Sequence, residues 1–129
     1  MSKYSCPHSK DLLCTFCEPL KGCPNVPVET AENKLQTKIM NWLKDQGHYA
    51  VKVVQATRNG VPDIVGCTSW GQFFAIEVKV EGNKASKLQE YNLVQIDRRG
   101  GIAVLAYNLQ TVIMAFEQKQ SFLKFPPLH

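Results

Sequence analysis

The chain lacks any apolar run that approaches the length of a membrane span, and its start, Met1-Ser2-Lys3-Tyr4-Ser5-Cys6, has none of the apolar stretch of a secretory signal. The expectation is an intracellular, cytoplasmic protein with no membrane partner. A strong charge of one sign is also missing: 15 Lys and Arg against 11 Asp and Glu leave a formal net charge of +4, which agrees with a polyanionic partner without demanding one. Cysteine is almost absent after residue 28, where only Cys67 remains, and that residue is expected to pack in the core. What is present is a chain of 129 residues, 44% hydrophobic and 20% charged, enough for one core of ordinary size.

Residues 1–28 have little hydrophobic periodicity and cannot build a core alone. They hold Cys6, Cys14, Cys17 and Cys23, together with four of the seven prolines. The C-x7-C-x2-C-x5-C spacing can wrap one Zn²⁺ tetrahedrally, with Cys14 and Cys17 as the tight knuckle and His8 as a spare ligand. Metal binding would supply folding energy that so short a segment cannot obtain from burial, and reduced thiols suit an intracellular setting. Unligated thiols in an extended arm are the alternative, with disulfides a third. The chain therefore divides into a Cys-rich segment, 1–28, and a second region, 29–129.

In that second region Thr30 is placed to cap a helix reaching about Gly47, with Leu35, Ile39, Trp42 and Leu43 as its apolar stripe. Strands follow at residues 51–55, 64–67 and 73–80, with a turn at Arg58-Asn59-Gly60. Ser86 and Gln89 form a capping-box signature for a helix through about Arg98, carrying Leu88, Tyr91, Leu93 and Val94 inward. Gly100-Gly101 closes that helix, and residues 102–107 read as a buried central strand. Asn108 can cap a last helix with Leu109, Val112, Ile113 and Phe116 on one face, although its β-branched residues leave a strand reading open.

The chemistry concentrates in Gly60-Val61-Pro62-Asp63 and Ile76-Glu77-Val78-Lys79. Residues two apart on a strand share a face, so Glu77 and Lys79 point the same way, and Asp63 follows a proline suited to a strand's start. Two carboxylates can bind a divalent cation, Mg²⁺ or Mn²⁺, that neutralises a scissile phosphate and acidifies a water, while Lys79 orients that water or stabilises developing charge. Such a kit hydrolyses phosphodiesters, and no organic cofactor is needed. Glu and Lys alternating with Ile and Val are also what the solvated face of a sheet looks like. Arg58, Lys84, Lys87, Arg98 and Arg99 are candidate phosphate contacts around the site, or an ordinary solvated surface.

Pro62-Asp63 followed by Glu77-Val78-Lys79 resembles the PD-(D/E)xK phosphodiesterase motif. The order Glu32, Gln36, Gly60-Val61-Pro62-Asp63, Ile76-Glu77-Val78-Lys79, Lys84 to Gln89 and Gly100-Gly101 resembles the VRR-NUC branch, including its small virus-type (phage) members, over about residues 29–108. The resemblance implies an α/β, restriction-endonuclease-like αβββαβ core, a mixed central sheet flanked by helices. In it Asp63, Glu77 and the Val78 carbonyl bind metal, Glu32 reaches the metal shell, Lys79 assists catalysis and Gln89 supports the site. It further implies a homodimer acting on branched DNA such as a Holliday junction, in the host cytoplasm if viral. Apart from the resemblance, Glu32 can equally be a first-turn acid favoured by the helix dipole, and Gln89 only a cap.

Three functions compete: a structure-selective DNA endonuclease, a sequence-specific restriction-type nuclease with the same chemistry, and a noncatalytic zinc-containing nucleic-acid-binding adaptor. For a dimer, Val112, Ile113, Phe116 and Trp70 are the apolar residues most available, unless they complete the core.

Overall fold

The computed structural model describes residues 30–123, so the cysteine cluster and the C-terminal tail lie outside the described residues. The elements run α1 (Ala31–Asp45), β1 (Tyr49–Lys52), β2 (Ile64–Cys67), β3 (Phe73–Val78), α2 (Lys87–Arg98), β4 (Ile102–Ala106) and α3 (Leu109–Gln118). The expected αβββαβ order is present, followed by a third helix. The sheet has the order β1-β2-β3-β4 and is mixed: β1 to β3 pair antiparallel, and β4 joins β3 in parallel. No helix among the described residues is long and apolar enough to cross a membrane.

Strand alternation divides the sheet into two unlike faces. One carries Ile64, Phe74, Ile76, Val78, Ile102, Val104 and Ala106, and against it pack Ile39 and Leu43 of α1 with Val112, Ala115 and Phe116 of α3. These are fully or almost fully buried, each large one contributing about 1.5–3 kcal/mol by leaving water. The other face carries Ala75, Glu77, Ala103 and Leu105, and α2 covers it with Leu93 and Ile96. Among the described residues the β1–β2 half of this second face is left open, with Tyr49 70% and Phe73 48% exposed, Val51 and Cys67 exposed beside them.

Several sequence expectations change. The first strand is Tyr49–Lys52 rather than 51–55, because pairing stops after the Val53 N–H donates to the Asp63 carbonyl at 2.8 Å and Val54 is left in solvent. β3 ends at Val78, not 80. β4 is buried but not central. α2 and α3 cover its faces, and its outer edge is closed by Phe122, which accepts from the Leu105 N–H (3.0 Å) and donates to the Ala103 carbonyl (2.9 Å). Cys67 is exposed rather than packed, since its strand position belongs to the open half-face. Val112 and Phe116 are buried in the core, so the α3 face expected to serve a dimer is already used.

On α2 the capping box is present: Ser86 Oγ accepts the Gln89 N–H at 3.1 Å, and Gln89 Oε1 accepts the Ser86 N–H at 2.8 Å. The inward residues are Asn92 and Leu93, whereas Leu88 and Tyr91 face solvent. The loop from β1 turns back onto this helix at Gly60, whose φ of +80° suits glycine and where a Cβ would lie 2.8 Å from Leu88 Cγ.

Candidate functional site

Asp63 stands where the β2–β3 ladder stops. The last paired residues are Ile64 and Ile76, and two further steps would set Pro62 opposite Val78. Pro62 is buried and has no N–H to offer. The Val78 N–H donates instead to Asp63 Oδ2 at 2.8 Å, which pins that carboxylate across the strand end. The Val78 carbonyl lies on the same edge of the strand as its N–H, so Pro62 leaves it without a ladder donor. The Lys79 N–H faces the other edge and donates to the Ala106 carbonyl at 2.9 Å.

Glu77 is 1% exposed, an extreme position for a carboxylate. Its Oε2 accepts from Gln89 Nε2 at 3.3 Å and lies 3.7 Å from Lys79 Nζ, while Oε1 is buried and, among the described residues, receives no hydrogen bond. Burial pushes the carboxyl up to a pKa of about 8; the neighbouring Asp63 charge and a hydrogen bond with Asp63 add to this, Lys79 opposes it, and Glu32 adds a little. Glu77 therefore keeps its proton through neutral pH when nothing is bound. Once that proton is lost, a buried oxygen that no donor reaches costs about 1–3 kcal/mol, and a cation is the kind of partner that would satisfy it.

The site thus brings Asp63, Glu77, Lys79, the Val78 backbone and Gln89 together. Gln89 does two jobs at once, since its Oε1 closes the capping box and its Nε2 holds Glu77. Glu32 is half-buried at the start of α1 and acts on Glu77 through its charge; among the described residues no three His, Cys, Asp or Glu side chains gather closely enough to hold a metal ion on their own. Gln36, one turn after Glu32, is buried with its Oε1 unpaired, and the apolar stripe of α1 offers no reason for a polar group there. Its signals in the sequence were its place one turn after Glu32, on the same face, and its part in the order of residues that resembles the VRR-NUC branch.

The basic residues do not form one ring around this centre. Lys84 and Lys87 flank the N-terminus of α2, near Gln89, and the Lys87 Nζ lies 3.7 Å from Glu90. Arg98 and Arg99 end the same helix about 15 Å farther on at 1.5 Å per residue. Arg58 is exposed in the β1–β2 loop that leads to Asp63.

The fold has solved counterparts. One chain described as a "VRR_NUC domain" superposes with a TM-score of 0.60 at 22% identity, covering 68% of this chain and 96% of that one. A second, a "VRR_NUC domain protein", gives 0.56 at 23% identity, covering 70% and 88%. No family model and no curated protein matches the sequence. The likeness establishes that the chain has the VRR_NUC fold.

Proposed function

We propose that a chain with this fold and this carboxylate pair is a DNA endonuclease that hydrolyses phosphodiester bonds with Mg²⁺ or Mn²⁺. The observation that carries the reading is the buried Glu77 carboxyl beside Asp63 and Lys79, whose Oε1 receives no hydrogen bond among the described residues. The donors are hard oxygens, which suit these ions. Asp63, Glu77 and the Val78 carbonyl would hold the ion, with Glu32 reaching it through water. When bound, it would supply charge neutralisation at the phosphate and a more acidic water.

The chain's own contribution is positioning and charge. The Val78 N–H holds the Asp63 carboxylate in one orientation, and Gln89 does the same for Glu77 Oε2. Lys79 Nζ, on the same face as Glu77, orients the attacking water or stabilises charge developing on the phosphate. Glu77 must release its proton before it can serve as a ligand. Lys84, Lys87, Arg58, Arg98 and Arg99 are contacts for the DNA backbone.

Branched DNA, such as a four-way junction, is the proposed substrate, cut by a homodimer. The open half-face of Tyr49, Val51, Cys67 and Phe73 supports this, because among the described residues it offers an apolar surface next to the free edge of β1, on the sheet face that carries Glu77 and toward the other end of the strands. Purified protein with Mg²⁺ or Mn²⁺, offered linear duplex, single strand, flap, fork and four-way junction, should cut the junction on opposed strands and have a dimer's mass by light scattering. Phe73→Glu should give monomers that lose paired cutting. Cleavage of unbranched duplex at fixed sequences would favour the restriction-type reading, and binding without cleavage the adaptor.

For residues 1–28 the proposal is a structural zinc site held by four of Cys6, His8, Cys14, Cys17 and Cys23, separate from the nuclease region 29–129. Elemental analysis of protein purified under reducing conditions should find about one zinc per chain, lost when Cys14→Ser and Cys17→Ser are combined. Zinc-free wild-type protein would remove the site.

A further inference from the structure

Beside α2 runs a groove of about 330 Å³ lined by Arg58, Tyr91, Asn92, Gln95, Ile96 and Arg99. Tyr91 is 56% exposed, and an aromatic ring left in solvent on a polar helix face contributes little to folding. The Arg99 guanidinium is held in place: its Nη1 donates to Gln95 Oε1 at 2.6 Å and to the Gln95 carbonyl at 3.1 Å. Among the described residues, neither Arg58 nor Arg99 is in an ion pair with a carboxylate. Asn92 Nδ2 spends both hydrogens on the Asn59 and Leu88 carbonyls, so what it can offer an occupant is its oxygen, an acceptor.

We propose that this groove binds one unpaired nucleotide of the DNA strand being cut, its base against Tyr91 and its phosphates against Arg58 and Arg99. The proposal rests on the nuclease reading and narrows its substrate to DNA with an unpaired nucleotide near the scissile bond. The ring needs a base whose π face is bare, and pairing and stacking cover that face in a duplex. A groove of about 330 Å³ suits a single nucleotide. Two guanidiniums with no acidic partner suit adjacent phosphates, and the amides of Asn92 and Gln95 suit a base edge. Groove and carboxylate pair share a loop: Asn59 and Gly60 are seated on α2, and Asp63 follows Arg58 by five residues, at most about 18 Å of chain. A nucleotide held there lies within a few nucleotides of the site.

The test uses the full chain and two fluorescent probes: a paired duplex, and the same duplex with one extrahelical 2-aminopurine nucleotide. Binding is read in Ca²⁺ by anisotropy and 2-aminopurine emission, and cleavage is read in Mn²⁺. Wild type and Tyr91→Phe should bind the extrahelical probe about tenfold or more tighter than the paired one, and quench its emission. Tyr91→Ala should lose both effects, and Arg58→Ala with Arg99→Ala should weaken both probes. Equal binding of the two probes by wild type, or a preference that survives Tyr91→Ala, overturns the proposal whatever the cleavage. A Tyr91-dependent preference without any cleavage would instead remove the nuclease reading and leave a nucleotide-binding groove.

Discussion

Asp63→Ala, Glu77→Gln and Lys79→Ala are each expected to lower metal-dependent DNA cleavage by about a thousandfold or more, because each removes a group that acts where the reaction's charge develops. The folds should survive. Asp63 is half-buried at a strand end, and its loss frees one backbone N–H; Glu77→Gln keeps the shape of a side chain that is already neutral at pH 7 in the absence of metal. Gln89→Ala should be milder in its direct effect, since it loosens Glu77 without removing a donor to the ion, and Glu32→Ala milder still, because Glu32 acts through space or water. Rates measured under single turnover, with circular dichroism on each variant, decide the matter. Wild-type rates in Asp63→Ala would sink the mechanism.

How much of this could be seen in the sequence depends on what each feature is made of. Asp63, Glu77 and Lys79 were legible because their spacing, with a proline before the first, is set by backbone geometry that any strand shares. The capping box of α2 was legible for the same local reason. The inward face of α2 was legible only at Leu93, since hydropathy also favours Leu88 and Tyr91, which face solvent, and gives no reason to choose Asn92. Beside Leu93 the helix turns Asn92 inward, where it donates to the Asn59 carbonyl and Gly60 brings the loop into contact. Tertiary pairing of a loop carbonyl is invisible to periodicity.

The α3 stripe was ambiguous for a similar reason. Val112 and Phe116 form an amphipathic stripe whose partner could have been another copy or the sheet, and the sheet takes it. The open half-face became visible only through register, because Tyr49, Cys67 and Phe73 lie on one row across three strands. The depth of Glu77 was equally hidden. Alternation says which face it occupies, but its near-complete burial follows from α2 lying over that half of the sheet.

That burial leads to the second large effect, on stability. Glu77 is raised from an ordinary value of 4.5 to about 8, so between those values the folded chain holds one proton that the unfolded chain has released. With more protons bound in the native state, stability falls as pH rises, by at most about 1.4 kcal/mol per pH unit. The contribution is complete below pH 4.5 and gone above pH 8, a total on the order of a few kcal/mol. Thermal unfolding from pH 5 to 9, in buffer without added divalent ions but without a chelator that would strip a zinc site, should show wild type losing stability relative to Glu77→Gln as pH increases. Mg²⁺ or Mn²⁺ should reverse the trend, because the ion binds the deprotonated pair, and its stabilising effect should be larger at pH 8 than at pH 6. Glu77→Gln should respond weakly to either ion at any pH. Parallel curves for the two proteins, with and without metal, would mean that Glu77 is ionised from the start and that its buried oxygen has a partner other than a cation.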